Sequence, residues 1–185
     1  DRDEINGNRR VRGADHQVMP DRIEAGTFAI AAGVTGGHVT LEGADCDTMN
    51  ALVEVMGSTG LSVNCAPGRI EVDARALGPG GLKPVDVATG PYPGLATDIQ
   101  PPTKVLLTQA RGDSRVRESI FEDRLEWTGE LAKMAARIEL KGPQNAIVHG
   151  PSRLHAASVE ISDLRAGASL LLAALAAEGT SSIGG

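Results

Sequence analysis

PYPGLATDIQ, residues 91–100, is a turn that delivers a Thr-Asp pair to the mouth of an apolar segment. Its prolines and glycine stiffen the loop, and the apolar residues that follow promise a helix. Thr97 and Gln100 fit a capping box, in which a hydroxyl caps the helix start and an amide three residues on reaches back. Asp98 would then sit in the first turn, where acids are favoured by the positive helix end. Pro101-Pro102 pull the other way, because they carry no backbone donors. They predict a helix that starts near Pro101 and leaves Asp98 in the loop ahead of it. In either arrangement a carboxylate is held on a stiff support, where it could accept a proton.

Outward from this corner the same grammar is written three times. Asp21-Arg22-Ile23-Glu24 opens an apolar helix running to about Val34, which Gly36-Gly37 ends before an alternating strand at His38 to Glu42. A second helix is predicted from Cys46 to Met56, then two short strands, Leu61 to Asn64 and Arg69 to Asp73, across an Ala-Pro-Gly turn. After the GPGG linker at 78–81, a strand at Val85 to Ala88 leads through Thr97-Asp98 into a helix to about Ala110. Arg115 to Ser119 alternates as a strand, Asp123 to Ala135 reads as an amphipathic helix carrying Trp127, and Arg137 to Leu140 with Ala146 to His149 close a hairpin. Val159 begins a third copy, whose helix Leu164 to Ala177 is the most apolar, stopped by Glu178-Gly179 before a strand at Ser181 to Ile183. Asp21, Asp98 and Asp163 fall at one position of this repeat, 77 and 65 residues apart. Those spacings are too long and too few for a solenoid. The opening helices are apolar on nearly every face, as expected of helices surrounded by protein.

Composition narrows the function classes. Of 185 residues 41% are apolar but only 2% aromatic, so the core must be built from small aliphatic side chains. Eighteen basic against twenty-four acidic residues leave a net charge of −6, which argues against nucleic acid, whose phosphates demand a basic face. An anionic small substrate would need a few locally placed arginines instead. The beginning DRDEINGNRR has no secretory pattern, and the apolar run Ala166 to Ala177 is too short to cross a bilayer core of about 30 Å. The chain therefore reads as a soluble, cytoplasmic protein with no membrane partner. Cys46 and Cys65 have no metal or redox spacing. The acids flanking Cys46 make a poor setting for a reactive thiolate.

PYPGLATDIQ with IFEDR at 120–124, PDRIEAGTFAIAAG at 20–33 and DLRAGASLLLAALAAEGT at 163–180 resembles the enolpyruvate transferases, in order and spacing over nearly the whole chain. Residues 5–21 look like the strand that enters this domain in the family. The resemblance implies an α/β fold, an inside-out α/β barrel of βαβαββ units that bury their first helices together at the centre. Units at about 18–75 and 82–150 would be nearly complete and one at 158–185 truncated, together most of one domain of a two-domain enzyme. It further implies transfer of the enolpyruvyl group of phosphoenolpyruvate to the 3-hydroxyl of UDP-N-acetylglucosamine in peptidoglycan synthesis, with no cofactor and no metal. A non-catalytic nucleotide-sugar module, or a transferase acting on shikimate 3-phosphate, is the alternative.

The same resemblance assigns roles to individual residues. Asp98, beside Thr97, becomes the general base on the sugar hydroxyl. Such a base needs a raised pKa, which a closed cleft would supply by desolvation. Ile120 matches a position whose backbone touches the nucleotide sugar, with Phe121 beside it at the cleft; composition alone would put Ile120 in the core. Asp163 and Arg165 fall near the enolpyruvate side, and Arg124 and Arg22 at the same mouth. Arginine forks suit carboxylate and phosphate, though ion pairs between the repeats' own Asp and Arg residues explain them equally well. The family's phosphoenolpyruvate-gripping Lys-Asn pair, its cysteine loop that supplies the acid and its arginine close to the carboxyl end have no counterpart here. The resemblance thus implies half an active site, with the chain alone lacking activity.

Overall fold

Asp21 starts the first helix by turning its carboxylate back on the chain, Oδ1 accepting from the N–H groups of Ile23 at 2.8 Å and Glu24 at 3.2 Å. That helix, α1 (Arg22–Thr35), ends where Gly36 turns left-handed at φ 65°, a conformation glycine enters without a Cβ penalty. The computed structural model describes residues 4, 6–7, 12–78, 80–122 and 124–185. Beyond α1 the order is β1 (His38–Glu42), a 3-10 turn (Cys46–Thr48), α2 (Asn50–Ser58), β2 (Ser62–Ala66) and β3 (Arg69–Asp73). Next come β4 (Val87–Ala88), α3 (Gln100–Leu107), β5 (Gly112–Arg117), α4 (Thr128–Lys133), β6 (Ile138–Leu140) and β7 (Asn145–Gly150). The chain closes with β8 (Ser158–Glu160), α5 (Leu164–Ala176) and β9 (Ser182–Gly184).

Three sheets form, each from one stretch of sequence. Strands β1-β3-β2 pair antiparallel, in a register that sets Val72 between Val39 and Val63. The second sheet runs β4-β5-β7-β6, with β4 and β5 parallel and the rest antiparallel. Strands β8 and β9 pair parallel, Val159 opposite Ile183.

Helices α1, α3 and α5 touch one another and make the centre. Close approach there depends on glycine. A Cβ on Gly26 would meet Leu52 Cδ2 at 2.6 Å and Ile99 Cδ1 at 3.0 Å, and one on Gly33 would meet Leu106 Cδ1 at 2.6 Å. Ile30, Leu106, Leu107 and Leu170 on these helices are fully buried, each contributing about 1.5–3 kcal/mol of hydrophobic stabilisation. All eight residues of α3 are buried.

The expected enclosure is met by α3 alone. Phe28 on α1 is exposed, as are Leu164, Leu171 and Leu175, which follow one another along a single face of α5. Among the described residues the architecture is mixed α/β with three separate sheets and no closed barrel.

Four local expectations change. The helix predicted from Cys46 to Met56 splits, because the Asp45 carboxylate caps the 3-10 turn and Met49 leaves helical geometry at φ −135° before α2 begins. The helix predicted from Asp123 to Ala135 shrinks to α4, and Trp127 packs ahead of it as a buried residue; Asp123 lies outside the described residues. Of the entering strand predicted for residues 5–21, Ile5 and 8–11 lie outside the described residues, while 12–20 are exposed and form no strand. Cys46 and Cys65, unremarkable by spacing, form a disulfide with Cα atoms 6.1 Å apart. Strand β2 runs alongside the 3-10 turn, a proximity that sequence spacing does not reveal.

Candidate active site

Two prolines decide what Asp98 can do. Asp21 and Asp163 both cap their helices, the latter accepting from Arg165 N at 2.8 Å and Ala166 N at 3.1 Å. At the corresponding corner of α3 the N–H of Gln100 goes to the carbonyl of Thr97 at 3.3 Å, and Pro101 has no N–H to offer. Helix α3 therefore starts at Gln100 without a side-chain cap. The carboxylate that would have capped it is left for other donors.

Those donors are arginines. Arg124 Nη1 donates to Asp98 Oδ1 at 3.1 Å, and Arg165 Nη2 donates to Oδ2 at 2.8 Å. Arg165 comes from the first turn of α5, so the cap on Asp163 fixes where its guanidinium begins. All three side chains are partly exposed. The Arg165 hydrogen bond, aided by the charges of both guanidinium groups, lowers the Asp98 pKa from its ordinary value. Burial opposes the arginines here and loses to them, so the raised pKa expected of a closed cleft is not reached in this structure. Asp98 stands in this structure as an ionised carboxylate.

The capping box expected between Thr97 and Gln100 is not made. Thr97 Oγ1 donates instead to Glu118 Oε2 at 2.9 Å, and the Gln100 amide is buried without a partner. Glu118 is fully buried just past β5 on the face of Ser114 and Val116, and was passed over in the sequence because a glutamate is seldom buried, although the strand's alternation turns it inward. Nearby, Lys104 is fully buried too, its Nζ 4.6 Å above the Trp127 ring. Burial pushes its pKa down to about 7 against the pull of Glu118 and Asp163.

Ile120 and Phe121 follow on the turn after β5, both substantially exposed. Composition alone would have buried Ile120; its backbone N–H is instead drawn to Glu118 Oε1 at 2.9 Å, which turns the side chain outward. The Arg124 guanidinium lies 5.1 Å from the centre of the Phe121 ring. Arg124 and Asp163 line a cavity of about 540 Å³ together with Glu122, Glu126, Glu130 and Glu160, while Asp98 and Arg165 line a separate hollow of about 220 Å³ beside Phe28, Pro102 and Leu164. Thr97, Asp98, Ile120, Phe121, Arg124, Asp163 and Arg165 thus share one end of the molecule. Arg22 does not join Asp98. It donates to the carbonyl of Thr48 at 3.3 Å and lies over the Tyr92 ring at 5.1 Å, bracing the Pro91–Gly94 turn.

A carboxylate released from capping, held between two arginines and lining a hollow of about 220 Å³, can take a proton once the arginines find another anion. Residues 1–184 match the EPSP synthase (3-phosphoshikimate 1-carboxyvinyltransferase) family, and the chain belongs to that family. Within it, curated relatives bearing the name UDP-N-acetylglucosamine 1-carboxyvinyltransferase are similar throughout. The Methylocella silvestris protein is 46% identical over 176 residues, 95% of this chain and 40% of that protein. The Novosphingobium aromaticivorans protein is 47% identical over 179 residues, 97% of this chain and 41% of that protein. The chain thus spans about two-fifths of the length of the curated relatives it matches. The enolpyruvyl transferase NikO from Streptomyces tendae superposes with a TM-score of 0.79 at 28% identity, covering 90% of this chain and 38% of that one. An EPSP synthase from Acinetobacter baumannii shares the fold at a TM-score of 0.59 and 18% identity, over 84% of this chain and 37% of that one.

Proposed function

We propose that residues 1–185 form most of one domain of an enzyme that transfers the enolpyruvyl group of phosphoenolpyruvate to the 3-hydroxyl of UDP-N-acetylglucosamine, a step of peptidoglycan synthesis. The observation that carries this reading is the similarity of almost the whole chain to carboxyvinyltransferases of that name, 46% identical over 95% of its length. The repeat units at about 18–75, 82–150 and 158–185 are read as parts of an inside-out barrel, whose remaining elements lie on further sequence.

In this proposal Asp98 is the base. Arg124 and Arg165 keep it ionised and in place, then turn to the carboxylate and phosphate of the incoming substrates, which planar forks bind well. Loss of those two partners, with desolvation as the cleft closes, raises the basicity of Asp98 when the sugar hydroxyl must give up its proton. Backbone groups of Ile120 and the Phe121 ring contact the nucleotide sugar, Thr97 holds the corner, and Asp163 orients Arg165. The acid that protonates the enolpyruvyl carbon comes from outside residues 1–185, because the family's cysteine loop has no counterpart among them and Cys46 and Cys65 are bonded to each other.

The test is phosphate release by the complete protein containing this chain, with phosphoenolpyruvate and either UDP-N-acetylglucosamine or 3-phosphoshikimate as acceptor. Release with the nucleotide sugar is expected. Release only with 3-phosphoshikimate would move the protein to the other acceptor, and nucleotide-sugar binding without release would make it a non-catalytic module.

A further inference from the structure

We propose that Glu118 is a positioning residue: a buried carboxylate that locks the Thr97-Asp98 corner to the Ile120-Phe121 turn, so that the two halves of the candidate site keep one register. Its catalytic consequence rests on the function proposed above; its structural consequence does not.

Four donors converge on this one side chain. Oε1 accepts from Thr89 Oγ1 at 2.8 Å, from Ile120 N at 2.9 Å and from Phe121 N at 3.3 Å. Oε2 accepts from Thr97 Oγ1 at 2.9 Å. Three of the four belong to residues of the site, and the fourth, Thr89, begins the loop that carries Asp98. Glu118 is itself anchored, its N–H donating to the Gln144 carbonyl at 2.8 Å. Thr89 is also clasped from the far side, its Oγ1 accepting from Ser119 N at 2.8 Å.

A buried charge is tolerated only when hydrogen-bonded and neutralised. Here the hydrogen bonds that hold the carboxylate come from the site itself, four donors on two oxygens. If the carboxylate served only the core, its donors could come from any neighbouring backbone. That they come from both sides of the site makes Glu118 the joint between them.

The two oxygens divide the work in a way that allows a clean test. In Glu118→Gln the amide oxygen can occupy the Oε1 place with its three donors, while the NH2 group donates to the Thr97 hydroxyl; the geometry survives and the charge is gone. Glu118→Ala removes both, and Thr97→Val cuts the single link to the Asp98 corner. The first readout is the titration of the Asp98 carboxylate, followed by carbon NMR in the 185-residue chain, with amide exchange of α3 confirming the fold. Asp98 is expected to titrate below its ordinary 3.8 in the wild type and in Glu118→Gln, and to move back toward 3.8 in Glu118→Ala and Thr97→Val. If Glu118→Ala does not fold, Thr97→Val decides.

The second readout is turnover of the complete enzyme. Glu118→Ala is expected to lose about a hundredfold in kcat, the scale of a misplacement near 1 Å, and Glu118→Gln to restore most of it. A folded Glu118→Ala with an unmoved Asp98 titration and unchanged kcat would overturn the proposal, as would a folded Glu118→Gln as impaired as the Ala variant. A complete wild-type protein without enolpyruvyl transfer would sink the function reading instead, and the Asp98 titration would still judge Glu118.

Discussion

Asp98 and Lys104 are six residues apart, one ahead of α3 and one inside it, and are tuned in opposite environments. Asp98 is half-exposed and held ionised by Arg165 and Arg124. In the complete enzyme, Asp98→Asn keeps the shape and two acceptor sites become one, so the base is lost while much of the binding surface remains. Turnover should fall by about two to four orders of magnitude, with a far smaller change in KM for the nucleotide sugar, and steady-state kinetics would show it. Lys104 is buried with its pKa lowered from 10.5 to about 7. Between those values the unfolded chain binds a proton that the native state has released, so stability rises with pH across that window and the burial penalty is fully felt below it. Lys104→Met should remove the slope and raise stability at pH 6 by a few kcal/mol, readable from urea midpoints at pH 6, 8 and 9.5. A wild-type curve flat over that range would mean that the ammonium keeps its proton. The Thr-Asp corner was legible because turn chemistry is local. Glu118 and Lys104 were not, since their burial is produced when β5, α3 and the 89–97 loop meet.

At the scale of elements, caps and glycines were the readable signals. Asp21, Asp163 and Gly36 mark their helix ends as expected, because each acts on backbone groups within a few residues of itself. Helix α4 was misread: its hydrophobic spacing continues backward through Trp127, but the chain there is drawn into the packing around Lys104 before the helix starts. Gly26 shows what the periodic pattern hides, a contact with α2 and with Ile99 ahead of α3 that a methyl group could enter only by displacing the ends of the Leu52 and Ile99 side chains. Gly26→Ala should therefore destabilise the fold by about 1–3 kcal/mol, despite the better helix propensity of alanine. Chemical denaturation would measure it, and a neutral or stabilising result would mean that Leu52 and Ile99 can swing aside.

Over the whole molecule, the repeated order of elements was readable, while enclosure was not. Leu164, Leu171 and Leu175 look like core residues in the sequence and stand exposed on α5, because what a helix faces depends on neighbours that its own periodicity cannot name. The Cys46–Cys65 bond closes a loop of 19 residues, so reduction should lower stability by about 3 kcal/mol. Melting with and without dithiothreitol would check this, Cys65→Ser serving as the permanently reduced form. Each sheet, finally, takes all its strands from one stretch of chain, and among the described residues every β-ladder lies wholly before or wholly after the 78–81 linker. Severed there, the polypeptide would keep each of these ladders, and its two pieces would have to find each other chiefly through α1, α3 and α5, with the Lys83 N–H to Thr59 carbonyl bond at 2.9 Å beside them. Co-expressed as separate genes, the halves should reassemble as a split protein does, and recovery of a 1:1 heterodimer would show that helices rather than strands hold the repeats together.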